Sequence, residues 1–469
     1  MNSTQELKIL EKEIESIVKW AKAFGLDFYP MRFELVPAHT VYKVGAYGMP
    51  TRFSHWSFGK SFHRLKMQYD YNLSRIYELV INTNPCYAFL LEGNTLIQNK
   101  MVMAHVIAHC DFFKNNVFFK RTSKEMIETM ACNAQRIEEY ESKYGRQEVE
   151  IFLDAAIAIL EHVDPRAQLG TRNNANKKEL VTTEYEDIFA LEMKGNRESN
   201  SKVREEKRFP AQPVKDLMGF IAKHAVGIED WQRDILWMLR EEMLYFWPQL
   251  ETKIMNEGWA TFWHLRIMRA LDLEEDEAIE FAKMHSNIIL PSKTSINPYH
   301  VGHAIFEDIY NRWDSPTQNE QHKFNRKTGR GLEKIFQVRE MENDSSFLRN
   351  YLTEELVEKL DLYLYQKVGH EWRVIETNWE KVRDGLVDNL VNGGHPYIEV
   401  VAGDYRGSGE LLLKHRYEGK ELDITYLEKT LPYVYLLWGR PVHIETIIEA
   451  KEVIFSYDGK KNKRRLIES

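Results

Sequence analysis

MVMAHVIAHCDFF (101–113) is the stretch that decides how this chain folds. It is apolar on nearly every face of a helix, so the helix belongs in the interior. His105 and His109 interrupt it four residues apart. That spacing puts both imidazoles on one helix face and can present two nitrogens to one metal ion. A buried polar group costs free energy unless something satisfies it. MNEGWATFWH (255–264) repeats the situation far along the chain. Glu257 opens that segment and His264 lies two turns on. Glu257, Thr261, His264, Met268 and Leu271 share one face, which should point inward. From the residues alone, His105 and His109 fit a hydrogen-bonded structural pair as well as a metal-binding pair.

Working outward, residues 5–24 have helical spacing, with Leu7, Leu10, Ile14, Ile17 and Val18 on one side. Residues 27–65 hold no period of 3.6 or 2, and their aromatics predict an irregular wrap over a core. Helices are expected near 66–82 and over 95–116, the latter capped by Asn94, then over 123–143 and 147–163. More follow at 214–225, 228–247, 249–270, 274–285, 298–313 and 331–340, with two within 346–366. Asn297-Pro298 supplies a cap followed by a first-turn proline. Past 368 the pattern changes. HEWRVIET, HPYIEVVAG, ELLLKHRYEG and KEVIFSYDG read as strands, with Leu427–Trp438 and Ile444–Ala450 as helices between them. The fold class is therefore mainly α, a large helical region with an irregular aromatic-rich wrap, plus a small C-terminal α+β domain. The expected domains are a helical core at 1–367, with an exposed charged connection near 166–212, and the α+β domain at 368–469 with a basic tail.

A chain of 469 residues is long enough for these two cores. Net charge is −8, so the tail KKNKRRLIES is read as a solvated end and nucleic acid is not an expected partner. Cys86, Cys110 and Cys132 form no CxxC pair, which suits a reducing compartment. No run of 18 uncharged apolar residues occurs, and the N-terminus is a mixed-charge amphipathic helix. A cytoplasmic protein without an integral membrane segment is the expectation. GxGxxG, P-loop and GxSxG motifs are absent, so no nucleotide cofactor is expected.

NEGWA (256–260) resembles the Asn-Glu-Gly-Phe-Ala stretch with which gluzincin-type metallopeptidases supply their third zinc ligand. The matching residue is Glu257. His105, His109 and Glu257 then form a ligand set for one zinc or iron ion. Gluzincins place a general base directly after the first histidine of HExxH; here that position is Val106. Glu242 lies in the apolar stripe Trp231, Ile235, Met238, Glu242, Tyr245, and is read either as a buried salt-bridge partner or as the replacement base. His264 is seven residues from Glu257, roughly 10 Å along a helix, too far for easy ligation of the same ion. It is read as an acid–base or supporting group, with a hydrogen-bonded core histidine as the alternative. NPYHVGHAIFEDIY (297–310) adds His300, His303 and Glu307 as a weaker candidate group.

YPMRFELVPAHTVYKVGAYGMPTRFSHWSFGKSF (29–62), NPCYAFLLEGN (84–94), VMAHVIAHCDFFKNN (102–116), MNEGWATFWH (255–264) and NPYHVGHAIFEDI (297–309) resemble the SpoVR-like stage V sporulation protein R family. The likeness runs over about 1–465. It implies a role in formation of the spore cortex, a peptidoglycan layer, exerted from the mother-cell cytoplasm. It also implies cortex-assembly proteins, an AAA+-type serine protein kinase and a von Willebrand-A-like protein as partners. No reaction comes with the family. Two classes of function stay open. One is a metal-dependent hydrolase of an amide bond in a peptide or peptidoglycan precursor. The other is a non-catalytic regulator or scaffold of cortex assembly with a structural His/Glu cluster.

Overall fold

The helix expected in the interior spans Leu96–Asn115, and every residue from Asn99 to Phe113 is buried. Thr95 starts it: its hydroxyl accepts from the Gln98 N–H, and the Gln98 side chain accepts from the Thr95 N–H. Asn94, the expected cap, donates to the Asn99 side chain instead. The cap falls one residue later because threonine has a glutamine three residues on to close a reciprocal capping box.

This description comes from a computed structural model covering residues 3–70, 78–167, 209–291, 295–369 and 371–467. The charged stretch expected as an exposed connection lies almost wholly outside the described residues. The chain divides into two compact units, residues 1–143 with 245–395 and residues 144–244 with 396–469. Each is made of two separate pieces of chain, whereas the sequence reading drew one boundary at 367/368. Among the described residues, no helix is long and apolar enough to cross a membrane.

In the first unit, the buried helix packs against helices Ser3–Ala23, Lys253–Ala270, Glu275–Ile288 and Gly331–Met341. Asp111 ties several of these together. Its carboxylate accepts from Trp259 Nε1 at 2.9 Å and from the Asp27 N–H at 2.8 Å, with Arg339 Nη1 at 3.6 Å. Burial lifts the Asp111 pKa to about 6, against the pull of Arg339 and these donors.

Helix Lys253–Ala270 crosses helix Pro298–Asp314 with backbone touching backbone. A Cβ on Gly258 would sit 2.3 Å from the Gly302 carbonyl carbon, and one on Gly302 2.2 Å from the Ile254 oxygen. Only glycine at both positions permits that approach. Asn297 and Pro298 start the second of these helices as expected, the Asn297 side chain accepting from the Tyr299 and His300 N–H groups. Lys253–Ala270 has no cap side chain at Thr252. Asp344 supplies one from a distant helix, accepting from the N–H of Ile254 at 2.8 Å and of Met255 at 2.9 Å.

Several local expectations change. The 27–65 stretch holds the strand Met31–Val36 and the helices Ala38–Tyr47 and Trp56–Asp70. The strand pairs in parallel with Cys86–Leu91, which also pairs antiparallel with Leu79–Ile81. These elements are short and bounded by proline and glycine; helix Ala38–Tyr47 ends on Gly48 at φ 77°. Residues 79–81, expected as helix, are therefore strand. The helix expected to reach 366 ends at Lys359, and Leu364–Val368 forms a hairpin with Glu371–Glu376.

The second unit contains a five-stranded sheet in the order Asn462–Leu466, Lys451–Tyr457, Val442–Ile448, Glu410–His415, Ile398–Tyr405. All neighbours are antiparallel except Glu410–His415 with Val442–Ile448. Ile444–Ala450, expected as helix, belongs to a strand because VHIETII is rich in β-branched residues and is sandwiched between partners. Asn462–Leu466 of the basic tail is solvated, as expected, and forms an edge strand of this sheet. The architecture is mainly α with this small α+β region.

Two consequences can be measured. Gly258→Ala and Gly302→Ala should each destabilise the first unit by about 3 kcal/mol or more, because backbone cannot yield as a side chain can. Gly59→Ala, with nothing within 4 Å of the added carbon, should be neutral or stabilising. Denaturant unfolding with equal midpoints for the three would contradict the crossing. Asp344 sets a pH dependence. Burial raises its pKa from 3.8 to about 7, against the two N–H donors that favour its charge. A raised folded-state pKa gives stability that is complete below about pH 4 and is lost as pH rises through 7. Relative to Asp344→Asn, the wild-type chain should therefore lose roughly 2–3 kcal/mol between pH 5 and pH 8. A flat difference in unfolding free energy would contradict this.

Candidate metal centre

Three parts of the first unit deliver ligand atoms to one point. His105 and His109 come from the buried helix, Glu257 from the first turns of Lys253–Ala270, and Glu78 from just ahead of strand Leu79–Ile81. The four ligand atoms lie within 4.8 Å of one another. His105 Nε2 is 3.3 Å from Glu78 Oε2 and 3.5 Å from Glu257 Oε2, and His109 Nε2 is 3.4 Å from Glu257 Oε2. These separations are long for hydrogen bonds. They match the edge of a tetrahedron with metal–ligand bonds near 2.05 Å, about 3.3 Å. His105 Nε2 and Glu257 Oε2 are buried and have no hydrogen-bond partner. Orphaned lone pairs facing each other in the interior are costly unless a cation lies between them. Two nitrogens and two carboxylate oxygens suit zinc or iron(II).

The groups behind these ligands fix their tautomers. The Asn256 side-chain oxygen lies 2.8 Å from His109 Nδ1, so it accepts the Nδ1 hydrogen and turns Nε2 toward Glu257. Without an ion Nε2 carries a hydrogen toward that carboxylate, and a bound ion would take that hydrogen's place. His105 Nδ1 lies 2.8 Å from His264 Nδ1, and His264 Nε2 lies 3.0 Å from His285 Nδ1. Hydrogens running outward along this row free His105 Nε2 in the same way. Tyr299 donates its hydroxyl to Glu78 Oε1 at 3.1 Å.

Charge at the centre is set by burial and by these neighbours. Burial lowers the basicity of His109, but the adjacent Glu257 carboxylate overrides it and raises the pKa to about 9. Burial disfavours ionised Glu257, yet His109 and His105 hold its carboxyl well below the usual carboxylate range. His264 is pushed well below 6.5, first by burial and then by His105, His285 and His303. The Tyr299 phenol is pushed well above 10 by burial and by Glu78. The centre thus holds an anionic Glu257 beside a neutral His264 and a protonated phenol.

His105, His109 and Glu257 meet as the sequence suggested. His264 touches His105 from behind and does not reach the convergence point. Glu242 is buried in helix Asp230–Glu251, in the second unit, and is not among the four residues. His303 is buried nearby, its ring 6.1 Å from that of His285, and neither it nor Glu307 is among the four. Sequence reasoning missed Glu78, Asn256, His285 and Tyr299. Asn256 and Tyr299 stand beside residues already singled out in NEGWA and NPYH. Glu78 precedes a three-residue strand and carries no periodic signal.

A family model described as SpoVR like protein matches residues 4–395, and one described as SpoVR-like C-terminal domain matches residues 396–449. Their junction coincides with the 395/396 boundary between the compact units. The chain is similar to the Uncharacterized protein YcgB of Escherichia coli (strain K12), with 30% identity over 468 residues, 93% of this chain and 91% of the relative. No solved structure matches it.

Asn256→Ala removes the group that orients His109 without touching a ligand. It should weaken zinc affinity by 10–100-fold while leaving the circular dichroism spectrum unchanged. Unaltered affinity in a competition titration with a chromophoric chelator would contradict the tautomer assignment.

Proposed function

The chain belongs to the SpoVR family, which is sporulation-related, and on that premise we propose that it is a metal-dependent hydrolase serving spore cortex formation. His105, His109 and Glu257 would hold one zinc or iron ion. The observation that supports this most is the convergence of His105 Nε2, His109 Nε2 and Glu257 Oε2, the carboxylate oxygen 3.5 and 3.4 Å from the two nitrogens, where His105 Nε2 and Glu257 Oε2 are buried without a hydrogen-bond partner.

Such an ion supplies Lewis acidity and makes water a nucleophile near neutral pH. The chain's own residues supply the rest. Glu78 is assigned the general-base role that Val106 cannot fill, since Val106 is an apolar side chain sealed in the core. The Glu78 side chain is 23% exposed, so its carboxylate can meet water. Tyr299 holds one Glu78 oxygen and leaves the other facing the histidines. This role passes to Glu78 rather than Glu242 because Glu78 is at the centre. His264 is a positioning residue for His105. The substrate is proposed to be an amide bond of a peptide or peptidoglycan precursor, reached from the mother-cell cytoplasm, with cortex-assembly proteins, an AAA+-type serine protein kinase and a von Willebrand-A-like protein as partners.

One observation favours the second reading, a non-catalytic regulator or scaffold: four protein ligands would close a tetrahedral shell, as structural zinc sites do. Two measurements separate the readings. Elemental analysis of purified, untagged chain should give one zinc or iron per chain, and none in the His105→Ala/His109→Ala double variant. Metal-free wild-type chain would overturn both metal readings. Glu78→Gln should keep the metal and abolish cortex formation when it replaces the wild-type chain in a sporulating cell. Loss of the metal would make Glu78 a ligand of a closed structural site. Retained metal with normal cortex would remove Glu78 from catalysis.

A further inference from the structure

Cys86 opens strand Cys86–Leu91, and Cys110 sits on the buried helix directly after His109. Their sulfurs are 2.9 Å apart. Both residues are fully buried and both thiols are free. We propose that Cys86 and Cys110 are a redox site that closes reversibly to a disulfide on oxidation by a peroxide.

The geometry carries this. The Cys110 S–H donates to Cys86 Sγ, and the Cys86 S–H donates to the Thr83 carbonyl at 3.1 Å. A disulfide needs a sulfur separation near 2.05 Å, so closure takes only ~0.9 Å of movement. That is within the reach of side-chain torsions and small shifts of two packed elements. Lys124 lies nearby, its ammonium donating to Asn82 Oδ1 at 3.0 Å and Thr122 Oγ1 at 3.1 Å. In a reducing compartment, disulfides of this kind are transient and sensory rather than structural. Cys132 is exposed and is not part of the pair.

The chemistry balances with hydrogen peroxide as oxidant. Cys86 sulfur attacks one peroxide oxygen and the O–O bond breaks. The oxygen that leaves takes the thiol proton and departs as water, and Cys86 becomes a sulfenic acid. Cys110 sulfur then attacks Cys86 sulfur, the S–O bond breaks, and the hydroxyl leaves as a second water with the Cys110 proton. Two thiols have lost two electrons, and one peroxide has gained them. The new bond fastens strand Cys86–Leu91 to the helix that carries His105 and His109, in effect a covalent clamp on that helix.

The test uses the full chain with Cys132→Ser, so that no other thiol reacts. After incubation with hydrogen peroxide and digestion without reductant, mass spectrometry should show the Cys86 and Cys110 peptides joined, two hydrogens lighter than their sum. Dithiothreitol should separate them again. The oxidised chain should melt several degrees higher than the reduced one, because the unfolded chain is then cross-linked. Free thiols at both positions after peroxide treatment, or separate sulfinic and sulfonic acids with no joined peptide, would overturn the proposal.

Discussion

The constraint on which the first unit depends is the burial of two imidazoles on a helix whose other faces are packed with apolar side chains. His105 and His109 are 2% and 4% exposed, in a run of residues that is buried from end to end. An apolar helix could fill that space with side chains that ask for nothing. Imidazoles must have each nitrogen satisfied, or the interior loses stability. The fold answers with Asn256 and His264 on one side of the rings and with Glu257 and Glu78 on the other. The first pair makes hydrogen bonds of 2.8 Å. The second stands off at metal-shell distance. That asymmetry is the ground on which the metal proposal rests.

Holding Glu257 there imposes further demands. Its helix must come close enough to the histidines, and its first turn must be satisfied although it is buried. Gly258 and Gly302 let that helix touch Pro298–Asp314, the helix that carries Tyr299, backbone to backbone. Asp344 meets the second by accepting from Ile254 and Met255. Asp111 fixes the same helix from its other side through Trp259. Each device carries a cost, in glycine entropy or in a buried carboxyl with a raised pKa, and such costs are usual around functional sites.

How much of this was legible depends on residue type. The histidines and Glu257 stood out because metal-ligand side chains are rare in greasy helices. The mainly helical class followed from spacing that held over long segments. Glu78 was invisible, since a carboxylate ahead of a three-residue strand looks like any solvated glutamate. The strand Met31–Val36 and the helix Ala38–Tyr47 were missed because each is too short to establish a period, and the helix Trp56–Asp70 was placed too late, its first turns being rich in aromatics. Ile444–Ala450 reads equally as helix or strand until its neighbours in the sheet are known. The discontinuous second unit rests on pairings such as Val214 with Val400, which no local pattern reveals.

The central claim is that His105, His109 and Glu257 hold an ion. Anomalous diffraction at the metal absorption edge, from crystals of untagged protein, tests it most directly. The account predicts a single strong peak within about 2.2 Å of His105 Nε2, His109 Nε2 and Glu257 Oε2. A peak at other residues, or none while these side chains keep their places around water, would contradict it.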